Sequence, residues 1–269
     1  MMKTIYRLTL ATALLLLCLT ETQGNNLHVV ILGDSNTYIG GDACDQPRGW
    51  NKWFKDAFAP ATCCSYARSG ATWTNTSTTK RNTEENIGIL GNDNVVYNQI
   101  ERLIDACQKG EQPVPDLIII AAGTNDAWFV DKRPMALNGT VDEAFAQEGI
   151  TNLPVNEVLT LAASVRYGCE LLKTSYPEAR IILLTPLQTT KADLRVIAKA
   201  GDIMEDCAHR MSLDVIRMDL EGCIKVADKQ SVRKYTTDGV HTTEAGAQFN
   251  GLLVAQRVRE LLQQTNINR

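Results

Sequence analysis

The sequence predicts an α/β fold, in which a parallel sheet carries helices on both faces as a three-layer α/β/α sandwich. The first observation is a set of short continuous apolar runs: Val29-Val30-Ile31-Leu32, Leu117-Ile118-Ile119-Ile120 and Ile181-Ile182-Leu183-Leu184. A strand that is apolar at every residue is covered on both faces, as in a parallel sheet. The second is that segments with helical apolar spacing alternate with these runs. The third is that neither an internal repeat nor a linker interrupts the alternation, so residues 25–269 read as one domain.

In chain order, Leu27 to Leu32 is the first strand, closed by Gly33-Asp34-Ser35-Asn36-Thr37. Asp42 to Gly49 is a polar loop. Trp50, Trp53, Phe54 and Phe58 share one face of a helix that ends at Ala59-Pro60. Thr62 to Ala67 is a second strand, followed by Arg68-Ser69-Gly70-Ala71. Residues 72–93, rich in Thr, Asn and Gly, read as a long surface loop. Asn94 to Gln108 is a helix, and Asp116 to Ala122 the third strand, ending in Gly123-Thr124-Asn125-Asp126. Residues 127–154 read as an irregular excursion above the sheet. Val155 to Thr174 is a helix, Ala179 to Thr185 the fourth strand, Asp193 to Met211 a helix and Asp214 to Met218 a fifth strand. A polar loop leads to Thr236-Thr237-Asp238-Gly239-Val240-His241, after which Thr242 or Thr243 caps a last helix.

The N-terminus differs from the rest. Lys3 and Arg7 precede an apolar run from Leu8 to Leu19. A short basic region before roughly 7–15 apolar residues is the pattern of a signal peptide. The run is shorter than the ~20 residues of a membrane span. Thr22 and Gly24 fit cleavage after Gly24, making residues 1–24 the signal peptide and the mature protein periplasmic or secreted. Lipid anchoring through Cys18 is the alternative, disfavoured because Leu17 stands where a small residue is expected. No later segment is apolar enough to span a bilayer. Net charge is −4 with no block of like charge, which offers nucleic acid no basic face. Cleavage would leave Cys44, Cys63, Cys64, Cys107, Cys169, Cys207 and Cys223. No CxxC motif occurs, Cys63 and Cys64 would face opposite sides of a strand, and most of these residues read as small buried hydrophobes.

Four loops thus meet, or return to, the carboxyl edge of the sheet, where open α/β sheets bind ligands. A serine hydroxyl needs a neighbouring base to become a nucleophile. Of the three histidines, His28 lies at the wrong end of the first strand and His209 within a helix, which leaves His241 as the partner of Ser35. Asp238, three residues earlier on a turn, can reach the imidazole Nδ1 and fix its tautomer. Donors for a developing oxyanion are available from the Ser35 N–H, the Gly70 N–H and the Asn125 amide. Each feature alone has a plainer explanation: Gly70 as a turn, Asn125 as a loop cap, Asp-x-x-His as a capped loop.

Together, Gly33-Asp34-Ser35, Gly70, Gly123-Thr124-Asn125-Asp126 and Asp238-Gly239-Val240-His241 resemble the SGNH hydrolases, also called the GDSL esterase/lipase family. The resemblance covers residues 27–241. It implies Ser35 as nucleophile, His241 as base, Asp238 as its orienter, and Ser35, Gly70 and Asn125 as the oxyanion hole. It also implies a flavodoxin-like sandwich with a five-stranded parallel sheet, and neither metal nor organic cofactor. Gly70 rests on the shortest match. Gly-x-Ser-x-Gly, the nucleophile elbow of other α/β hydrolases, is absent around Ser35. Asp34 reads as a brace of the turn.

The site chemistry implies ester hydrolysis through an acyl-enzyme, on a small-molecule or glycan ester. Trp73, Trp128 and Phe129 among polar residues suit a sugar face, with anchoring of their loops as the plainer alternative for the tryptophans, and deacetylation of a carbohydrate is the preferred reading. A lipolytic esterase or lysophospholipase is the first alternative, and a non-catalytic binding module on the same fold the second. A metallohydrolase is disfavoured, since the three histidines form no HExxH motif.

Overall fold

A computed structural model describes residues 26–84 and 94–267. The proposed signal peptide, its Cys18 and part of the 72–93 loop lie outside the described residues. The central sheet has five strands: β1 (His28–Gly33), β2 (Thr62–Ser65), β3 (Leu117–Ala121), β4 (Arg180–Leu184) and β5 (Asp214–Ile216). Their order is β2-β1-β3-β4-β5 and every pairing is parallel. This is the α/β/α sandwich expected, with the strand order of flavodoxin-like folds.

The helices, short ones included, are α1 (Ser35–Tyr38), α2 (Trp50–Phe58), α3 (Val96–Gln108), α4 (Thr124–Trp128), α5 (Val141–Ala146), α6 (Leu161–Ser175), α7 (Leu194–Arg210), α8 (Met218–Glu221), α9 (Lys229–Tyr235) and α10 (Glu244–Ile267). The strands bury both faces, which is why they are apolar throughout. Val30, Leu32, Ile118, Ile120, Ile181 and Leu183 pack on one side with Ile100 and Leu103 of α3, Val165 and Leu172 of α6 and Met204 of α7. Val29, Ile31, Leu117, Ile119, Ile182 and Leu184 pack on the other with Phe54 and Phe58 of α2 and Val254 and Val258 of α10. Each fully buried side chain of this size stabilises the fold by roughly 1.5–3 kcal/mol before entropy is charged against it. On that second side α10 lies directly on α2. A Cβ added at Gly251 would stand 2.4 Å from the Trp50 carbonyl oxygen, so the two backbones approach closely there.

Four parts of the chain depart from the sequence expectation, one of them, the 72–93 segment, at the site described below. The helix expected from Val155 starts at Leu161, because the Thr160 hydroxyl accepts the Ala163 N–H and caps it there; a single 3-10 turn, Val155–Glu157, precedes it. The 127–154 excursion contains α5, held by a capping box between Thr140 and Glu143. The polar loop before His241 contains α9, capped by Asp228. The cysteines follow expectation: Cys44, Cys63, Cys169, Cys207 and Cys223 are buried, and Cys63 and Cys64 pack on opposite sides of the sheet. Among the described residues no helix is long and apolar enough to cross a membrane.

Candidate active site

From β1 the chain turns toward β2, and from β3 it turns the other way toward β4. The crevice between the carboxyl ends of β1 and β3 is therefore the switch point of the sheet, where such folds bind ligands. Gly33 ends β1 opposite Ala121 of β3, and the Asp34 N–H continues the ladder to the Ala121 carbonyl at 3.1 Å. A Cβ at Gly33 would meet that carbonyl oxygen at 2.5 Å, so only glycine fits this approach. Ser35 follows as the first residue of α1, and its N–H has no acceptor within the helix.

The base proposed from sequence reaches this serine across 206 residues of chain: His241 Nε2 lies 3.0 Å from Ser35 Oγ. His241 Nδ1 lies 2.7 Å from Asp238 Oδ2. The other carboxylate oxygen, Asp238 Oδ1, accepts the N–H groups of Val240 (2.9 Å) and His241 (2.8 Å). Burial raises the Asp238 pKa, but the His241 ring and these two N–H donors outweigh it and hold the carboxyl down at about 2. Ionised, the carboxylate only accepts, so His241 Nδ1 carries the ring proton and Nε2 is left to accept from the Ser35 hydroxyl. The loop is fixed from beneath: the Gly239 carbonyl accepts from the Thr190 N–H at 3.0 Å and the Thr189 hydroxyl at 2.8 Å.

The other two expected donors lie at the same edge. The Arg68 N–H bonds the Gly33 carbonyl at 3.1 Å, which sets the loop carrying Gly70 beside the end of β1. Gly70 takes φ +75°, a left-handed conformation natural to glycine. Asn125 Nδ2 donates to the Ala71 carbonyl at 2.8 Å, which orients its amide and leaves its second amide proton for another acceptor. Asp126, fully buried, accepts the N–H groups of Trp73 (3.0 Å) and Thr74 (2.9 Å) and the Thr74 hydroxyl (2.7 Å). The two halves of Asn125-Asp126 therefore fasten the loop after β2 onto the loop after β3.

That fastening corrects the expectation for residues 72–93. Thr72, Trp73, Thr74, Asn75 and Thr79 are buried, not on the surface. Trp73 packs in the core with Val96, Ile100 and Leu161 and cannot form part of a sugar face. Trp128 and Phe129, at the end of α4, are half-buried and stacked, with ring centroids 5.0 Å apart.

Besides Asp126, sequence reading missed two supports. Gln99 of α3, fully buried, accepts the Gly33 N–H at 2.8 Å and donates to the Gly33 carbonyl at 2.9 Å, holding both sides of the turn before the serine. Asn36 donates to the Val240 carbonyl and accepts the Thr242 N–H. A buried amide shows in sequence only as a polar residue on an apolar helix face or inside a motif. Gln99 beside Ile100 and Leu103 carried that signal.

Asp34 does not serve the histidine; its carboxylate accepts the Asn36 N–H at 3.0 Å and caps α1. Burial raises its pKa from 3.8 to about 6 despite that bond. Between those values the folded chain keeps a proton that the unfolded chain has lost, so this group lowers stability as pH rises through the window, by roughly 3 kcal/mol in all. Asp34→Asn keeps the cap and removes the titration. Relative to the wild type, its melting temperature should be higher by roughly 6–12 °C at pH 7 and equal near pH 4. Parallel melting curves at both pH values would refute the assignment.

Among the described residues no group of three His, Cys, Asp or Glu side chains is arranged to hold a metal ion. Residues 31–249 match the GDSL-like Lipase/Acylhydrolase family, and the chain belongs to it. Membership makes it an ester-hydrolysing enzyme by class. Solved structures share the fold at low identity. The lipase/acylhydrolase from Enterococcus faecalis is 16% identical, with 87% of this chain and 96% of that one aligned at a TM-score of 0.52. A protein from Lactobacillus plantarum is 14% identical, with 89% and 98% aligned at 0.57. An acetyl xylan esterase, AlAXEase, is 14% identical, with 87% and 98% aligned at 0.50. No curated protein matches the sequence.

Proposed function

We propose that the chain is an exported serine esterase that hydrolyses carboxylic esters through an acyl-enzyme and deacetylates a carbohydrate. The observation that carries the chemistry is the hydrogen-bonded line from Ser35 Oγ through His241 to Asp238, at 3.0 and 2.7 Å. In this reading Ser35 Oγ attacks the ester carbonyl while His241 Nε2 takes the hydroxyl proton, and Asp238 stabilises the imidazolium. The N–H groups of Ser35 and Gly70 and the second amide proton of Asn125 receive the oxyanion. Collapse expels the alcohol, protonated by His241. Water then repeats the sequence on the acyl-enzyme, releasing the acid and restoring Ser35.

The carbohydrate substrate is supported by the Trp128–Phe129 stack, three and four residues beyond Asn125, and by a fold neighbour that is an acetyl xylan esterase. Half-buried rings offer a sugar an apolar face. Export rests on Lys3, Arg7 and the apolar run after them, with cleavage after Gly24 favoured over anchoring at Cys18.

The test measures acetate released from acetylated xylan and pectin beside turnover of nitrophenyl esters of graded chain length and a lysophospholipid. Acetate release from polysaccharide, with acetyl the best nitrophenyl ester, is expected. Preference for long acyl chains or the lysophospholipid would replace it with a lipolytic reading. No hydrolysis of any ester would leave a binding module.

A further inference from the structure

We propose that Asn36 is a positioning residue whose side-chain amide sets the register of His241 against Ser35; this rests on the serine-esterase reading above. Asn36 follows the serine directly and is 4% exposed. Its amide is spent on the two residues that flank the histidine. Nδ2 donates to the Val240 carbonyl at 3.2 Å, and Oδ1 accepts the Thr242 N–H at 3.1 Å. The partners fix which way the amide points, because a flipped amide would set NH2 against N–H and oxygen against carbonyl.

His241 has no backbone group left to make this link itself. Its N–H is held by Asp238 at 2.8 Å, and its carbonyl accepts the Thr237 N–H at 2.9 Å. Those bonds shape the loop internally but do not say where it sits relative to the serine. The Thr242 hydroxyl ties the loop to the Arg48 carbonyl at 3.0 Å, a residue outside the turn that bears Ser35. Asn36 joins the two directly. It acts as a peptide group would in a strand pairing, one donor and one acceptor side by side, with His241 centred between its contacts. Because Asn36 is adjacent to Ser35 in sequence, any movement of the serine carries the clamp with it. The 3.0 Å Nε2–Oγ distance is thus set by two bonds anchored one residue away from each reacting group.

Asn36→Leu removes both bonds at nearly constant volume, and Asn36→Asp keeps the Thr242 bond while turning an oxygen toward the Val240 carbonyl. A misplacement of about 1 Å costs on the order of 10²-fold in rate. For Asn36→Leu we expect kcat on a nitrophenyl acetate to fall roughly 10²-fold with KM within about twofold, and fluorophosphonate labelling of Ser35 to slow in parallel. For Asn36→Asp, which keeps the bond to the Thr242 N–H, we expect a smaller loss of kcat, again with KM little changed. The third readout is proton NMR of the His241 Nδ1–H, which should be sharp and low-field in the wild type and broadened or lost in Asn36→Leu. An unchanged Nδ1–H signal, or wild-type kcat in a folded Asn36→Leu protein, overturns the proposal. A wild type that hydrolyses no ester while its Nδ1–H is lost on Asn36→Leu would overturn the esterase reading and leave the clamp standing.

Discussion

Ser35→Ala should abolish ester hydrolysis, lowering kcat by about 10⁴–10⁶ while leaving the folded protein intact. The change removes one buried oxygen that lies 3.0 Å from His241 Nε2, and it leaves the Ser35 backbone N–H in place. Ground-state binding of an ester should survive, so KM is expected to stay near the wild-type value where it can be measured. The same substitution should abolish covalent labelling by a fluorophosphonate, and intact-mass spectrometry should place the wild-type adduct on Ser35. Retained hydrolysis, or a label on another residue, would move the nucleophile elsewhere.

The second large effect is expected at the other end of the line. His241→Ala removes the proposed base, 3.0 Å from the Ser35 hydroxyl, and should cost kcat several orders of magnitude, with KM little changed. Asp238→Asn is more diagnostic, because it keeps the shape of the turn. An asparagine oriented to present its NH2 to Nδ1 leaves the ring proton on Nε2, the wrong tautomer to accept from Ser35, and comparable changes cost about 10⁴ in kcat. Held at about 2, the Asp238 carboxyl stays ionised across any working pH. Acid loss of activity should therefore come from a group other than Asp238. Near-wild-type kcat for either variant would show that the base lies elsewhere.

The strands were legible because burial on both faces leaves a continuous signature, and Leu117 to Ile120 could hardly be anything else. The approach of Ser35 and His241 was legible because the turn after the first strand and the loop before the last helix both return to the carboxyl edge of the sheet. The supports were not. Asn36, Gln99 and Asp126 act on partners 206, 66 and about 53 residues away, and a polar side chain gives no sign of where it will be satisfied. Trp73 misled for the same reason. Its neighbours Thr72, Thr74 and Asn75 read as a surface loop, yet the hydrogen bonds to Asp126 let that polar backbone be buried and carry the indole into the core. The start of α6 was missed because Thr160, the cap that decides it, lies inside an otherwise apolar segment.

The packing of α10 on α2 sets the order in which the site is completed as the chain is made. The serine turn emerges early, but the histidine loop is delivered only when the last helix exists and can dock across residues such as Gly251. A partial chain thus holds the Ser35 turn without the His241 loop, and its sheet is assembled from pairings distant in sequence, which close late. On the proposed mechanism the hydrolase stays silent during synthesis. Onset of turnover then serves as a kinetic marker of the final docking step, separable from the earlier gain of secondary structure.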